Sequence, residues 1–162
     1  MMHTWFSCKI SYERTMENGM TKKVTEPYLV DALSFTEAEA RIIEEMTPYI
    51  SGEFTVSDVS RACFSELFFA EGDIDASFWY KCKMAFITLD EKTGTEKKQF
   101  THVLVQAYDL RDAIRRLDDG MKGSMADYIV VSVAETPILD VYPFEASPED
   151  KHEFGANQED RK

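Results

Sequence analysis

The sequence has few cysteine and histidine residues, and this scarcity argues against the sites that these residues form. Its three cysteines, Cys8, Cys63 and Cys82, are odd in number and show no CxxC spacing, which favours neither a disulfide framework nor a structural zinc site. The three histidines are scattered, and none has a second ligand beside it. We therefore predict a protein without a bound metal ion or other cofactor.

Long apolar segments and basic charge are also scarce. No run of residues is long and apolar enough for a membrane span, and no signal-peptide pattern is present. The chain carries 18 lysine and arginine residues against 30 aspartate and glutamate residues, a formal net charge of −12. Such a chain as a whole repels phosphate backbones and anionic membranes. We predict a soluble cytoplasmic protein without a membrane partner.

The motifs of common enzyme classes are missing as well. The sequence contains no P-loop, no GxGxxG after a predicted strand, no HExxH and no GxSxG. Its acidic pairs, Glu44-Glu45 and Asp118-Asp119, fall on the predicted exposed faces of helices and do not face one cleft, as a catalytic carboxylate pair must. We therefore predict that the protein is not an enzyme.

The sequence does contain an internal similarity. The offset is 74 residues for the first pair of matching segments and 75 for the other two. The pairs are WFSCKI with WYKCKM, which begin at Trp5 and Trp79; Thr21–Met46 with Glu96–Met121; and Phe54–Phe69 with Ile129–Phe144. This pattern predicts a tandem duplication within one compact domain, with the first repeat at residues 1–70 and the second at residues 71–144.

Each repeat has the pattern of a β-β-α-β-β unit. Apolar residues alternate along two predicted strands, and Gly19 or Gly94 supplies the turn between them. Ser34 with Glu37 is typical of a helix N-terminus, and Asp109 takes the same place in the second repeat. We predict an α+β fold with antiparallel sheets and one helix packed per repeat.

The apolar pattern ends at the last segment of the chain, residues 145–162. This segment holds six acidic and three basic residues. Because it offers little apolar surface to bury, we predict an acidic, disordered tail.

Two segments of the first repeat resemble a known protein family. They are WFSCKISYERTMENGM and EPYLVDALSFTEAEARIIEEM, and their most specific part is DALSFTEAEARI at Asp31–Ile42. They resemble an uncharacterised domain-of-unknown-function family of Bacteroidota and their phages, over nearly the whole chain. The resemblance implies no catalytic residue. More distantly, four strands followed by a helix in the middle of the chain resemble the unit of the PUR and Whirly single-stranded nucleic-acid binders.

The first strand of each repeat carries the pattern that points most directly to function. Trp5 and Lys9 share the face opposite the predicted helix, and Trp79 and Lys83 repeat the pair. An aromatic ring with lysines on an open sheet face is typical of proteins that hold single-stranded nucleic acid by base stacking and phosphate contact. The candidate binding residues are Trp5, Lys9, Lys22, Lys23, Trp79, Lys81, Lys83, Lys97 and Lys98.

The sequence also admits other interpretations. Leu29 and Leu104 lie on the same face, and such a mixture of Trp, Leu and Lys suits packing against another subunit or against the sister repeat. Rows of helix acids would instead suit an acidic DNA mimic that occupies a host factor. We predict a non-enzymatic, dimeric binding protein whose partner is single-stranded nucleic acid in a replication or repair setting. The alternative is a protein–protein interaction module.

Overall fold

The computed structural model describes residues 4–73 and 75–144 of the chain. The elements follow the order β-β-α-β-β twice, in agreement with the predicted α+β class. They are β1 (Trp5–Thr15), β2 (Thr21–Asp31), α1 (Phe35–Met46), β3 (Phe54–Ala62), β4 (Glu66–Phe68), β5 (Phe78–Leu89), β6 (Glu96–Ala107), α2 (Leu110–Gly120), β7 (Tyr128–Thr136) and β8 (Asp140–Tyr142). The predicted tail, residues 145–162, lies outside the described residues.

The first two strands of each half form a long antiparallel hairpin. β1 pairs with β2 along its whole length, and β5 pairs with β6 in the same way. Gly19 and Gly94 lie in the two turns with φ angles of 82° and 70°, a region that glycine adopts without strain. The predicted turn glycines are therefore confirmed.

In each four-stranded sheet, one edge strand comes from the other half of the chain. The strand order is β3-β1-β2-β8 in the first sheet and β4-β6-β5-β7 in the second. Both exchanged strands pair in parallel, β8 with β2 and β4 with β6. The sheets are therefore rich in antiparallel pairs, as predicted, but not purely antiparallel. The crossing of β4 has a clear benefit, because Leu67 and Phe68 are packed against apolar clusters that contain residues of the second sheet.

One face of each sheet is covered by the helix of its own half. The first helix-covered core contains the buried residues Phe6, Cys8, Ile10, Tyr28, Val30, Ala32, Ala38, Ile42 and Met46. The second contains Tyr80, Cys82, Met84, Val103, Val105, Ala107, Ala113 and Leu117. Because side chains alternate along a strand, the residues between these positions form the opposite surface, which we call the helix-free face. It includes Trp5, Lys9 and Leu29 in the first sheet and Trp79, Lys81 and Leu104 in the second.

The third strands of the two halves have matching registers. Phe54 lies opposite Tyr12 in the first sheet, and Tyr128 lies opposite Phe86 in the second. The offset between the third strands is therefore 74 residues, from Phe54 to Tyr128, and the sequence alignment of Phe54 with Ile129 is wrong by one residue. The physical reason is the period of a strand: a shift of one residue would turn the apolar side chains of β7 away from α2.

Gly120 lies where α2 meets the exchanged strand β4. A Cβ atom at this position would lie 2.8 Å from the ring of Phe68, which is closer than real Cβ contacts come. The glycine at the C-terminal end of α2 therefore permits the close packing of β4 on this helix.

Both helices begin at an N-terminal cap, as the sequence predicts. The N–H of Glu37 donates to Ser34 Oγ at 3.1 Å, and Glu37 in turn accepts the N–H of the residue before the cap at 3.3 Å. In α2 the N–H of Asp112 donates to Asp109 Oδ1 at 2.7 Å, and Asp112 accepts the N–H of Tyr108 at 3.1 Å. Each cap therefore satisfies one N–H group of the first helical turn and one N–H group of the residue before the cap.

Asp112 is in addition a buried carboxylate with ionic partners. It accepts hydrogen bonds from Arg116 Nε at 2.7 Å and from Arg115, and Arg116 also contacts Asp73 at 2.7 Å. Burial raises the pKa of the Asp112 carboxyl, but the hydrogen bonds from Arg116, the Tyr108 N–H and Arg115 outweigh burial and lower the pKa below its usual 3.8. The carboxylate is therefore ionised in the folded protein at neutral pH.

Replacing Asp112 with alanine is expected to lower the free energy of unfolding by about 3 kcal/mol, because Arg116 and the Tyr108 N–H lose a buried partner. The matched change at the more exposed cap, Glu37→Ala, is expected to cost about 0.5–1 kcal/mol. Urea denaturation at pH 7 measures both. Because the pKa of Asp112 is lowered in the folded state, its contribution is present above pH 3.8 and is lost as the pH falls below that value. Equal costs for the two variants would contradict the assigned role of Asp112.

Candidate ligand-binding groove

Both tryptophan side chains lie between the two sheets. Trp5 is 5% exposed and Trp79 is 1% exposed, and they pack in one cluster with Leu29, Leu104 and Val141. The predicted exposed Trp face is therefore wrong for the rings of Trp5 and Trp79. The exchanged strands β4 and β8 hold the helix-free faces of the two sheets together at this end, and the rings become core.

A groove of about 530 Å³ opens beside this cluster, at the junction of the two sheets. Its apolar side is formed by residues of both halves, including Leu29, Phe64 and Ile138. Its polar side includes Lys9 from β1, Lys81 from β5 and His102 from β6. The remaining lining residues are Ser7, Pro27, Arg61, Ala62, Cys63, Thr136 and Pro137. Both halves of the chain are therefore needed to build it.

The groove is basic although the protein is acidic. Lys9 and Lys81 are exposed in it, His102 lies beside them, and no aspartate or glutamate is among the lining residues. Partial burial and the charges of Lys81 and Lys83 lower the pKa of His102 below its usual 6.5. Burial is the larger cause of this shift, and the two lysine charges add a local positive potential, which attracts an anion.

Arg61 contributes less to this charge than its position suggests. It borders the groove, but its guanidinium lies 6.0 Å from the centre of the Phe6 ring, and Phe6 belongs to the core under α1. The charged groups that face the groove are therefore the two lysines and, when it is protonated, the histidine.

The predicted residue Lys83 lies next to the groove and contacts an aromatic ring. It has His102 as its cross-strand neighbour in β6, and its Nζ lies 4.6 Å from the centre of the Phe100 ring. This distance is within the range of a cation–π interaction. Phe100 is 54% exposed, so its ring is accessible from solvent on the helix-free face.

The other four predicted lysines lie further out along the hairpins, all exposed and none lining the groove. Lys97 forms an ion pair with Asp90 at 3.5 Å, and Lys23 lines a separate cavity with Glu13 and Glu53. By alternation Lys98 lies on the helix-free face, opposite Ile87, whereas Lys22 and Lys97 have the parity of the helix-covered face. The structure therefore brings together Lys9, Lys81 and Lys83 and leaves the other lysines apart.

The sequence did not single out Phe100 or Cys63 as site residues. Phe100 has the alternation parity of His102, so the pattern of β6 could have placed it on the helix-free face. Cys63 follows β3 and borders the groove in an exposed position, whereas Cys8 and Cys82 are buried. Burial raises the pKa of both buried thiols to about 11; for Cys8, Asp58 and Glu39 add to the shift. Cys63 therefore offers the accessible thiol of the three.

Within residues 4–73 and 75–144, no three His, Cys, Asp or Glu side chains are grouped in a way that could hold a metal ion. Neither α1 nor α2 is long and apolar enough to cross a membrane.

The fold and groove together define a class: an α+β protein of two helix-covered sheets that exchange short strands and share a basic groove. The chain belongs to the family described as a domain of unknown function, DUF4494, which matches residues 4–144. The expectation of an uncharacterised domain family is thereby confirmed. No curated protein and no solved structure matches the chain.

Proposed function

We propose that this protein is a non-enzymatic binding protein for single-stranded nucleic acid in a replication or repair setting, and that the groove holds the phosphates. The observation that carries the proposal is the clustering of Lys9 and Lys81 in one groove, with His102 also in its lining and Lys83 next to it, in a protein of net charge −12. With no carboxylate among the lining residues, the site favours an anion against the overall charge.

The apolar side of the groove supports a single strand as the ligand. Phe64 and Ile138, which are partly exposed, line it together with the lysines, so that apolar and cationic surfaces face the same space. A single strand presents unpaired bases and phosphates together, and proteins hold it by combining both kinds of contact. A duplex keeps its bases stacked inside and would use only the charges.

The direct test is the fluorescence anisotropy of a labelled oligothymidylate strand titrated with the protein at several salt concentrations. We expect saturable binding whose log K falls with log salt at a slope of about −2, because three lysines neutralise phosphates at about 0.7 per contact on a single strand. Because Trp5 and Trp79 are buried, tryptophan emission stays nearly unchanged. A duplex of the same length serves as the comparison and binds more weakly.

The reactivity of Cys63, which lines the groove, can be used to test where the strand binds. Its exposed thiol reacts with a maleimide reagent, whereas Cys8 and Cys82 are buried. We expect saturating oligothymidylate to slow the modification of Cys63. Binding that leaves this rate unchanged would place the ligand outside the groove, and no binding at about 50 mM salt, where phosphate attraction is strong, would sink the proposal.

We also propose that the two halves arose by tandem duplication. In support, both halves have the same order of elements, the third strands have the same sequence of buried and exposed positions, and the strand pairing shifts register after Lys9 in β1 and after Lys83 in β5. The two halves differ at two positions of the groove: Lys81 occupies the position that matches Ser7, and His102 occupies the position that matches Pro27. The second half thus supplies more of the positive charge, through Lys81 and Lys83 against Lys9 of the first half, while the lowered pKa of His102 keeps its ring mostly neutral at pH 7.

A further inference from the structure

A row of apolar side chains crosses the helix-free face of the second sheet, next to the groove. Ala85 in β5 lies opposite Phe100 in β6 on one side and opposite Ile129 in β7 on the other. Phe100 is 54% exposed and Ile129 is 44% exposed, whereas Ala85 between them is only 1% exposed. The row therefore has an accessible aromatic ring, Phe100, at one end, while Ala85 at its centre is buried.

Positive charge borders this row. Lys83 lies 4.6 Å from the Phe100 ring, and Lys98 is two residues before Phe100 on the same face of β6. His102, which lines the groove, is two residues after Phe100, about 7 Å along the strand. The ring is thus directly beside the proposed phosphate site and flanked by cations.

The corresponding row of the first sheet consists of polar side chains instead of apolar ones. Ser11 lies opposite Thr25 and Thr55, the positions that match Ala85, Phe100 and Ile129. Ser11 Oγ and Thr25 Oγ1 are 3.0 Å apart, and Ser11 also donates to Ser57 Oγ at 3.0 Å. These hydroxyl groups are engaged with one another and offer no aromatic ring, so the two halves differ at this row.

We propose that Phe100 is the base-stacking residue of the protein, so that a single strand passes from the groove onto the second sheet with one base on this ring. This inference rests on the proposed function and specifies it: the phosphates lie at Lys9 and Lys81, and the base lies beside Lys83. Every base has a flat π-face, so stacking on one ring does not select a sequence.

The test compares Phe100→Ala with the matched Thr25→Ala at the equivalent position of the first sheet. Two labelled strands of equal length serve as probes, oligothymidylate and a strand whose sugars lack bases. We expect Phe100→Ala to weaken oligothymidylate binding by about 5- to 150-fold, the range of stacking on one ring, and to leave the abasic strand unaffected. Thr25→Ala should bind both probes like the original protein. Phe100→Leu keeps apolar bulk without an aromatic face and should behave like the alanine variant.

The outcomes separate the two proposals. Suppose that oligothymidylate binds the original protein, and that Phe100→Ala either binds it equally well or loses affinity for both probes alike. The stacking role is then overturned, while the proposed phosphate binding in the groove still stands. If the original protein binds neither probe at low salt, the proposed function fails first. Circular dichroism of each variant checks that it is folded. Because Phe100 is exposed, we do not expect its substitution to unfold the protein.

Discussion

Replacing Trp79 with alanine is expected to lower the free energy of unfolding by about 3–5 kcal/mol, the usual cost of removing a large buried ring. Trp79 is 1% exposed and packs with Trp5, Leu104 and Val141 between the sheets. It also meets the ring of Phe69 edge-to-face, with centroids 5.3 Å apart. Its removal leaves a cavity where residues of both halves meet, so that the whole domain is destabilised. Urea denaturation followed by circular dichroism measures the loss.

The adjacent residue provides the control. Phe78 is an aromatic residue of the same strand but is 45% exposed, and Phe78→Ala is expected to cost less than about 1 kcal/mol. If Trp79→Ala costs no more than Phe78→Ala, the central position of the ring is wrong. Where Trp79→Ala remains folded, we expect it to bind oligothymidylate still, since the buried ring supports the junction and offers almost no accessible surface.

Reversing the charge of the three clustered lysines is expected to weaken oligothymidylate binding at least about 100-fold at 50 mM salt, since each lost phosphate contact removes part of the counterion release. The variant is Lys9→Glu with Lys81→Glu and Lys83→Glu. Because Lys9 and Lys81 are exposed and Lys83 is partly exposed, we expect these substitutions to have little effect on folding. The slope of log K against log salt should also fall toward zero.

The matched control reverses three lysines away from the groove, Lys22, Lys92 and Lys122. Both triple variants have a formal net charge of −18 instead of −12, so overall repulsion from the strand is the same. The control should lose only the general part of the affinity and keep a slope of about −2. An equal loss in both variants would show that overall charge governs binding and that the groove has no special part in it.

Local patterns predicted the elements of this fold well. The turn glycines Gly19 and Gly94, the caps at Ser34 and Asp109, and the alternation in β1 all involve residues close in the chain, and their geometry follows from local hydrogen bonds and side-chain period. The exchange of β4 and β8 could not be predicted in this way. A three-residue strand carries too little pattern to specify its neighbour, and its pairing depends on which sheet lies close to it in space.

The candidate site was predicted in part for the same reason. Alternation placed Trp5, Lys9, Trp79 and Lys83 correctly on the face opposite the helix. Alternation does not reveal what covers a face. The leading hypothesis therefore placed the tryptophans on an open face, whereas the structure buries them against the other half, as in the alternative of packing against the sister repeat. Phe100 was not singled out, because alternation gives the face of its side chain but does not show that the ring is exposed.

The sequence by itself determined the α+β class, the position of each helix and hairpin, and the face on which Lys9, Lys81 and Lys83 lie, because these depend on contacts between residues near one another in the chain. Only the tertiary structure decided that the helix-free faces meet, that the tryptophans are core, and that Lys9 and Lys81 share one groove with His102. Those facts depend on strands from distant parts of the chain, and the free energy of burying one face against the other selects that arrangement.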